Sequence, residues 1–277
     1  MVRRDEAGKI YTIPYNEFFR EELEVASGHL MLAAELCEDA ELKNYLELRA
    51  KALLSNEYDA SDIAWINMKN NTLDIIIGPT EHYEDQLYNY RTAYEAYILV
   101  KDKTWSKKLE KYIGYLPQLQ ANLPVDAKYK AEKPNSDAAQ LNAYDVIFYA
   151  GDCNAGSKTI AVNLPNDEEL QVKYGTRRSQ LKNAMQAKFD NILLPISEVL
   201  IDKTQRKHIT FNAFFSNTMF HEVAHGLGIK QTINGKGMVR EALGEKFSAL
   251  EEGKADILGL YMVTQLKEQG VLEEGEL

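Results

Sequence analysis

The sequence predicts a helix-rich α+β fold, and three observations carry that assignment. Helical periodicity dominates both ends of the 277-residue chain. Short runs rich in Tyr, Ile and Val, the signature of strands, are confined to residues 73–164. These runs do not alternate with helices in βαβ order, so a doubly wound parallel sheet is not expected. With 45% hydrophobic residues the chain has ample material for a buried core, in one large domain or two small ones. The pattern divides into an N-terminal helical region over 1–70, a β-containing region over 71–175 and a second helical region over 176–277.

Taking the elements in order, Phe18, Phe19, Leu23, Leu30, Leu32 and Leu36 recur mostly at threes and fours, the spacing of one helix face. Asn16 is the expected N-cap, Gly28 interrupts the helix without ending it, and Asp39 and Ser61 mark further helix starts before Met68. Leu73–Ile77 reads as a strand stopped by Gly78-Pro79. Over 91–100, Tyr94, Tyr97 and Ile98 suit a helix, but the density of Tyr, Ile and Val favours a strand. Thr104–Leu119 predicts a helix with Trp105, Leu109, Tyr112 and Ile113 on one side. Residues 120–140, with Pro124, Pro134, Asn135 and Ser136, read as an exposed connection. Tyr144–Tyr149 and Thr159–Leu164 predict two strands about a Gly/Asn/Asp turn. Helix is expected over Ser179–Ile201, broken or kinked at Pro195, then over Phe211–Leu227 and Val239–Leu266.

Composition excludes several classes. Lys plus Arg total 32 against 42 Asp plus Glu, a net charge of −10 that repels phosphate backbones, so nucleic acid is not an expected partner. No apolar run approaches the ~20 residues a bilayer needs. The two cysteines, Cys37 and Cys153, are too few for a disulfide framework and lack the spacing of a structural zinc site. Met1–Ile10 is charged and has no apolar signal segment, which points to a cytoplasmic location. Gly151–Thr159 resembles a phosphate-binding loop, but Ser157 separates the second glycine from Lys158, which misplaces the amine.

The informative stretch is His221-Glu222-Val223-Ala224-His225. At 100° per residue, His221 and His225 project from one helix face a turn apart and can reach one Zn²⁺. Glu222 lies beside that face, placed to accept a proton from the attacking water rather than to bind metal. Phe214, Phe215, Met219 and Phe220 would bury the helix, and Gly226 and Gly228 would let it end or let another backbone approach. A catalytic zinc needs a third protein ligand. Downstream, Glu251, Glu252 and Asp256 enter a helix that soon turns apolar. Glu252 and Asp256 are one turn apart, so one could bind zinc while the other hydrogen-bonds the free ring nitrogen of a ligand histidine.

HEVAH followed by EEGKAD resembles peptidase family M49, the dipeptidyl peptidase III family, in a variant with a five-residue HExxH where most familiar members have six. The resemblance implies His221, His225 and Glu252 as ligands of one Zn²⁺ and Glu222 as the catalytic glutamate. Glu251 would orient a ligand, and Asp256 remains as a second orienting carboxylate. Ile77–Tyr83 resembles the family's Glu-x-Tyr segment, implying Glu81 as anchor of the substrate's α-amino group and Tyr83 as stabiliser of the oxyanion. Asn163-Leu164-Pro165-Asn166 resembles its Asn-x-Pro-Asn segment, implying that Asn163 and Asn166 contact the peptide backbone.

By that likeness the zinc site sits on an α-helical lobe beside a small β-containing, substrate-side region, and the activity is removal of dipeptides from the N-terminus of oligopeptides. Family members are longer, with another histidine and basic residues C-terminal to the zinc motif. Here His29, His82 and His208 all precede it, so the chain reads as a portion holding the zinc site and part of the substrate-anchoring wall. Two rivals keep the metal: a zinc hydrolase of other specificity, and a catalytically incomplete zinc-binding scaffold.

Overall fold

Asp39 starts a helix where the sequence says it should. Its carboxylate accepts the backbone N–H groups of Glu41 and Leu42 at 2.9 and 3.1 Å, capping the helix Ala40–Ser55. In the computed structural model, which describes residues 1–81, 93–130, 139–155 and 158–272, the chain is helix-rich α+β, as expected. Two short strands, β1 (Val2–Arg4) and β2 (Ile10–Thr12), form an antiparallel pair. The others are β3 (Leu73–Glu81), β4 (Ala93–Lys101), β5 (Ala139–Gly151), β6 (Ala161–Leu164) and β7 (Thr176–Leu181), in the sheet order β3-β4-β5-β7-β6.

The chain divides into two units. One comprises Met1–Asp102, Tyr144–Thr159 and Asn163–Arg177; the other comprises Lys103–Ala143, Ile160–Val162 and Arg178–Leu277. The first opens with helices Arg20–Leu36, Ala40–Ser55 and Asp59–Asn67. On the helix Arg20–Leu36 the buried stripe is Leu23, Ser27, Leu30 and Ala34, while Leu32 and Leu36 are exposed, as is Phe18 on the short helix Tyr15–Phe18 before it. The inward face therefore carries small residues that hydrophobicity alone overlooks; Ser27 earns its place by donating to the Ala50 carbonyl at 2.8 Å. Asn16 is not an N-cap. It lies within the short helix Tyr15–Phe18, and its amide donates to the Leu54 carbonyl at 3.0 Å. Ser61 likewise sits inside its helix and donates to the Tyr58 carbonyl at 2.7 Å.

Residues 93–101 are strand β4, paired antiparallel with β3 and β5. Gly78-Pro79 does not stop β3, which continues to Glu81 with a register shift between Pro79 and Glu81. Because β3 is an edge strand, a proline without an N–H can be accommodated there. Where a helix was expected from Ser179, β7 runs to Leu181, with all six of its residues buried. Within the first unit, fully buried Arg177 holds the fully buried Asp74 carboxylate at 2.6 Å, donates to the Trp65 carbonyl at 2.7 Å and to the Tyr144 hydroxyl at 2.8 Å. The Trp65 indole N–H supplies the other Asp74 oxygen at 2.8 Å. A buried ion pair is tolerated only with such extra hydrogen bonds, and these override the local preference. Gly151–Thr159 does not lead into a helix: a 3-10 turn at Asp152–Asn154 and then β6 follow, while Gly156 and Ser157 lie outside the described residues.

The second unit is built on a core of Leu109, Leu116, Leu119, Phe215, Met219, Phe220 and Met262, with Trp105, Tyr112 and Ile113 packed against it. The expected helix over Thr104–Leu119 is two, Lys103–Ile113 and Leu116–Ala121, parted at Gly114 and Tyr115. Ser179–Ile201 resolves, after β7, into helices Lys182–Lys188 and Leu194–Leu200 joined by one π-turn, with Pro195 in the first turn of the latter, directly after the π-turn. Two helices then matter for function: the histidine helix, Phe211–Ala224, and the acidic helix, Phe247–Glu268. A separate short helix, Val239–Leu243, precedes the acidic one, so the predicted run from Val239 is interrupted at Gly244, whose φ of +54° breaks the helical path. Among the described residues no helix is long and apolar enough to cross a membrane.

Candidate metal centre

The Thr210 hydroxyl accepts the Ala213 N–H at 3.2 Å and starts the histidine helix. Phe215, Met219, Phe220, Val223 and Ala224 bury one side of it. The helix ends at Ala224, earlier than expected, with His225 as C-cap. His225 keeps right-handed helical dihedrals, φ −56° and ψ −30°, so the one-turn relation to His221 survives the helix end. The two rings lie 4.9 Å apart, nearly perpendicular at 87°.

Gly259 lets the acidic helix cross against this one. A Cβ there would stand 2.9 Å from the His221 nitrogen and 3.1 Å from its Cα. Replacing Gly259 with Ala is expected to force the helices apart at the site and to lower unfolding free energy by about 1–3 kcal/mol, the usual penalty of overpacking. Denaturant unfolding of the metal-free chain measures it; an unchanged midpoint would mean that the crossing relaxes freely.

Across that crossing the acidic helix presents three carboxylates. Asp256 Oδ1 lies 2.7 Å from His221 Nδ1, and Glu251 Oε1 lies 3.2 Å from His225 Nδ1. Carboxylates on both Nδ1 atoms select the tautomer that carries its proton there and leaves each Nε2 lone pair free. Both Nε2 atoms face Glu252: Oε2 is 3.2 Å from that of His221, and Oε1 is 3.9 Å from that of His225. The donor atoms of His221, His225 and Glu252 all lie within 4.8 Å of one another. Tetrahedral Zn²⁺ with ligands at about 2.0–2.1 Å sets its donors roughly 3.3–3.5 Å apart, so two imidazoles and one carboxylate so disposed fit the ion and leave its fourth position open.

Glu222 is half-buried beside this group. Burial pushes its carboxyl above the ordinary carboxylate range, with the Glu252 charge adding to the rise and His225, His221 and Arg178 pulling the other way. Glu251 behaves oppositely. Burial would raise it, but hydrogen bonds from His225 and Lys254 outweigh that and bring it down to about 2.

The sequence profile described as peptidase family M49 matches residues 5–240, most of the chain. The chain belongs to peptidase family M49. Two solved structures resemble this M49 chain over 98% of its length: dipeptidyl peptidase III from Caldithrix abyssi, 41% identical with a TM-score of 0.86, and that from Corallococcus sp. strain EGB, 40% identical with a TM-score of 0.87. It covers 52% and 50% of those chains, respectively. Among curated relatives, a protein of Arabidopsis thaliana named Nudix hydrolase 3 is 40% identical over 98% of the M49 chain and 35% of its own length. Dipeptidyl peptidase 3 of Dictyostelium discoideum is 24% identical over 78% of the chain and 30% of its own length. The M49 chain thus spans about a third of these curated relatives and half of the solved ones.

The remaining sequence-derived residues belong to the other unit. Glu81 ends β3, and Tyr83 lies outside the described residues. Asn163 is in β6, and its Oδ1 is buried without a hydrogen-bond partner among the described residues. Asn166 donates to the Thr80 carbonyl at 2.7 Å, the residue before Glu81. Thr80 and Asn166 also line a cavity of about 690 Å³ in this unit.

Two residues near the metal centre escaped sequence reasoning. Arg178 is 7% exposed, and burial draws its guanidinium down to about 10 against the pull of Glu222. Its Nη2 would lie only 2.5 Å from a Cβ on Gly226, which explains a glycine directly after His225. No local pattern announces Arg178. Lys254, by contrast, lies inside EEGKAD, but the spacing says nothing of where its ammonium goes.

Proposed function

We propose that this chain carries the zinc centre of a dipeptidyl-peptidase-type metallopeptidase, with His221, His225 and Glu252 as ligands of one Zn²⁺. The observation that carries the reading is the pairing of each histidine Nδ1 with its own carboxylate, Asp256 or Glu251, while both Nε2 atoms converge on Glu252. When bound, the ion supplies a Lewis acid that polarises the scissile carbonyl and acidifies a water. Glu222 takes the proton of the attacking water and delivers it to the leaving amine. Its half-buried position, which raises its proton affinity, suits a group that must both accept and donate.

Substrate anchoring falls to the other segment of the family likeness. Glu81 would pair with the free α-amino group and so set the cut two residues in, and Tyr83 would donate its phenol to the developing oxyanion. The buried Oδ1 of Asn163, without a hydrogen-bond partner among the described residues, is an acceptor suited to a substrate N–H. Asn166 would join it on the peptide backbone. The substrate class is oligopeptides.

The test compares free and N-acetylated oligopeptides. Dipeptides should be released from the free peptides alone, and Glu81→Ala should raise KM more than it lowers kcat. Equal cleavage of acetylated peptides would point to a zinc hydrolase of other specificity. Zinc bound without turnover of any peptide would favour the incomplete scaffold.

A further inference from the structure

Lys254 sits where three acceptors meet. Its Nζ lies 2.7 Å from Glu251 Oε1, 3.0 Å from the Leu227 carbonyl and 3.4 Å from the His225 carbonyl. An ammonium has three N–H donors, so this arrangement saturates it. The His225 carbonyl caps the C-terminal end of the histidine helix, where a cation is favoured by the helix dipole, the Leu227 carbonyl lies in the segment that follows, and the carboxylate is the one that holds the His225 ring. Lys230 also donates to the His225 carbonyl, at 2.9 Å, and its charge adds to the field that lowers the Glu251 carboxyl.

The geometry points to Lys254 as a positioning residue for the metal centre: it ties Glu251 to the C-terminal end of the histidine helix and thereby fixes the orientation of the His225 ring toward Zn²⁺. Glu251 and Lys254 are three residues apart on the acidic helix, so their pairing is set within one turn, while the two carbonyls belong to the segment that follows the histidine helix. One side chain thus locks both halves of the ligand set in register. Without it, Glu251 retains its contact with His225 but can rotate, and the ring it steers can rotate with it. A carboxylate so restrained on one oxygen keeps a single direction for the His225 Nδ1–H bond, and therefore for the lone pair on Nε2.

This inference rests on the assignment of His221, His225 and Glu252 as ligands. It is tested on the purified chain by zinc affinity, measured in competition with a chromophoric chelator. K254M should weaken zinc binding roughly tenfold to a hundredfold, the range found when the partners of metal ligands are removed. K254R, which keeps a charged donor, should stay closer to the wild type. In an E251Q background, adding K254M should cost little further affinity, because the route through Glu251 is already broken. Wild-type affinity in K254M, or a K254M loss that persists undiminished beside E251Q, would overturn the assignment. If K254M does not fold, K254Q, which keeps donors for the carbonyls but no charge beside Glu251, is read in the same way. A wild-type chain that takes up no zinc would instead overturn the ligand set itself.

Discussion

Replacing Glu222 with Gln should leave zinc content unchanged and lower kcat by roughly 10²–10⁴-fold, the range attributed to a general acid–base group. Glutamine preserves the volume of a half-buried side chain, so the fold and the neighbouring histidines are undisturbed, but its amide cannot accept the proton of the attacking water. The effect belongs in kcat rather than KM, because the carboxylate acts on the reacting atoms. Steady-state kinetics on a free-amine oligopeptide, beside elemental analysis of the same preparation, separate the two quantities. Turnover at the wild-type rate in E222Q would remove Glu222 from the mechanism; loss of metal together with activity would make it a structural residue of the site.

Removing His225 should act on the metal itself. The wild-type chain should purify with, or take up, one zinc ion, and H225A should lose it together with all turnover. Two of the three protein ligands cannot hold a site open to water against competition. The substitution also removes one hydrogen-bond partner of Glu251 Oε1, whose bond to Lys254 remains. Elemental analysis of both proteins after identical handling measures the result. Zinc retained at wild-type stoichiometry in H225A would exclude His225 as a ligand.

How much of this was legible beforehand follows from the physics of each signal. Spacing along a helix is local, so HEVAH announced two histidines on one face, and the helix end at Ala224 did not spoil it, because His225 keeps helical dihedrals. Apolar and β-branched density is local too, and it identified β4 against a competing helical pattern. The residue spacing left Glu252 and Asp256 interchangeable; only the family likeness separated their roles. In the structure Glu252 faces both Nε2 atoms, while Asp256 faces His221 Nδ1.

Where reading failed, a distant partner had overridden local preference. β7 took the place of a helix start because Arg177 is committed to Asp74, more than a hundred residues earlier, and an unpaired buried guanidinium is too costly for local propensity to prevail. Asn16 had the chemistry of an N-cap but spends its amide on Leu54. The small residues that face inward on Arg20–Leu36 carry little hydrophobicity and so left no mark in the pattern.

The sequence alone therefore determined the α+β class, the family likeness and the pair of histidines with their glutamate, since each depends on residue type and spacing within a few turns. Only the tertiary structure decided which carboxylate meets which ring nitrogen, that Gly259 lets the two helices touch at His221, and that Arg178 and Lys254 reach the site at all. Those outcomes depend on where one helix crosses another, and helix periodicity specifies the face a residue occupies but not the partner that face will meet.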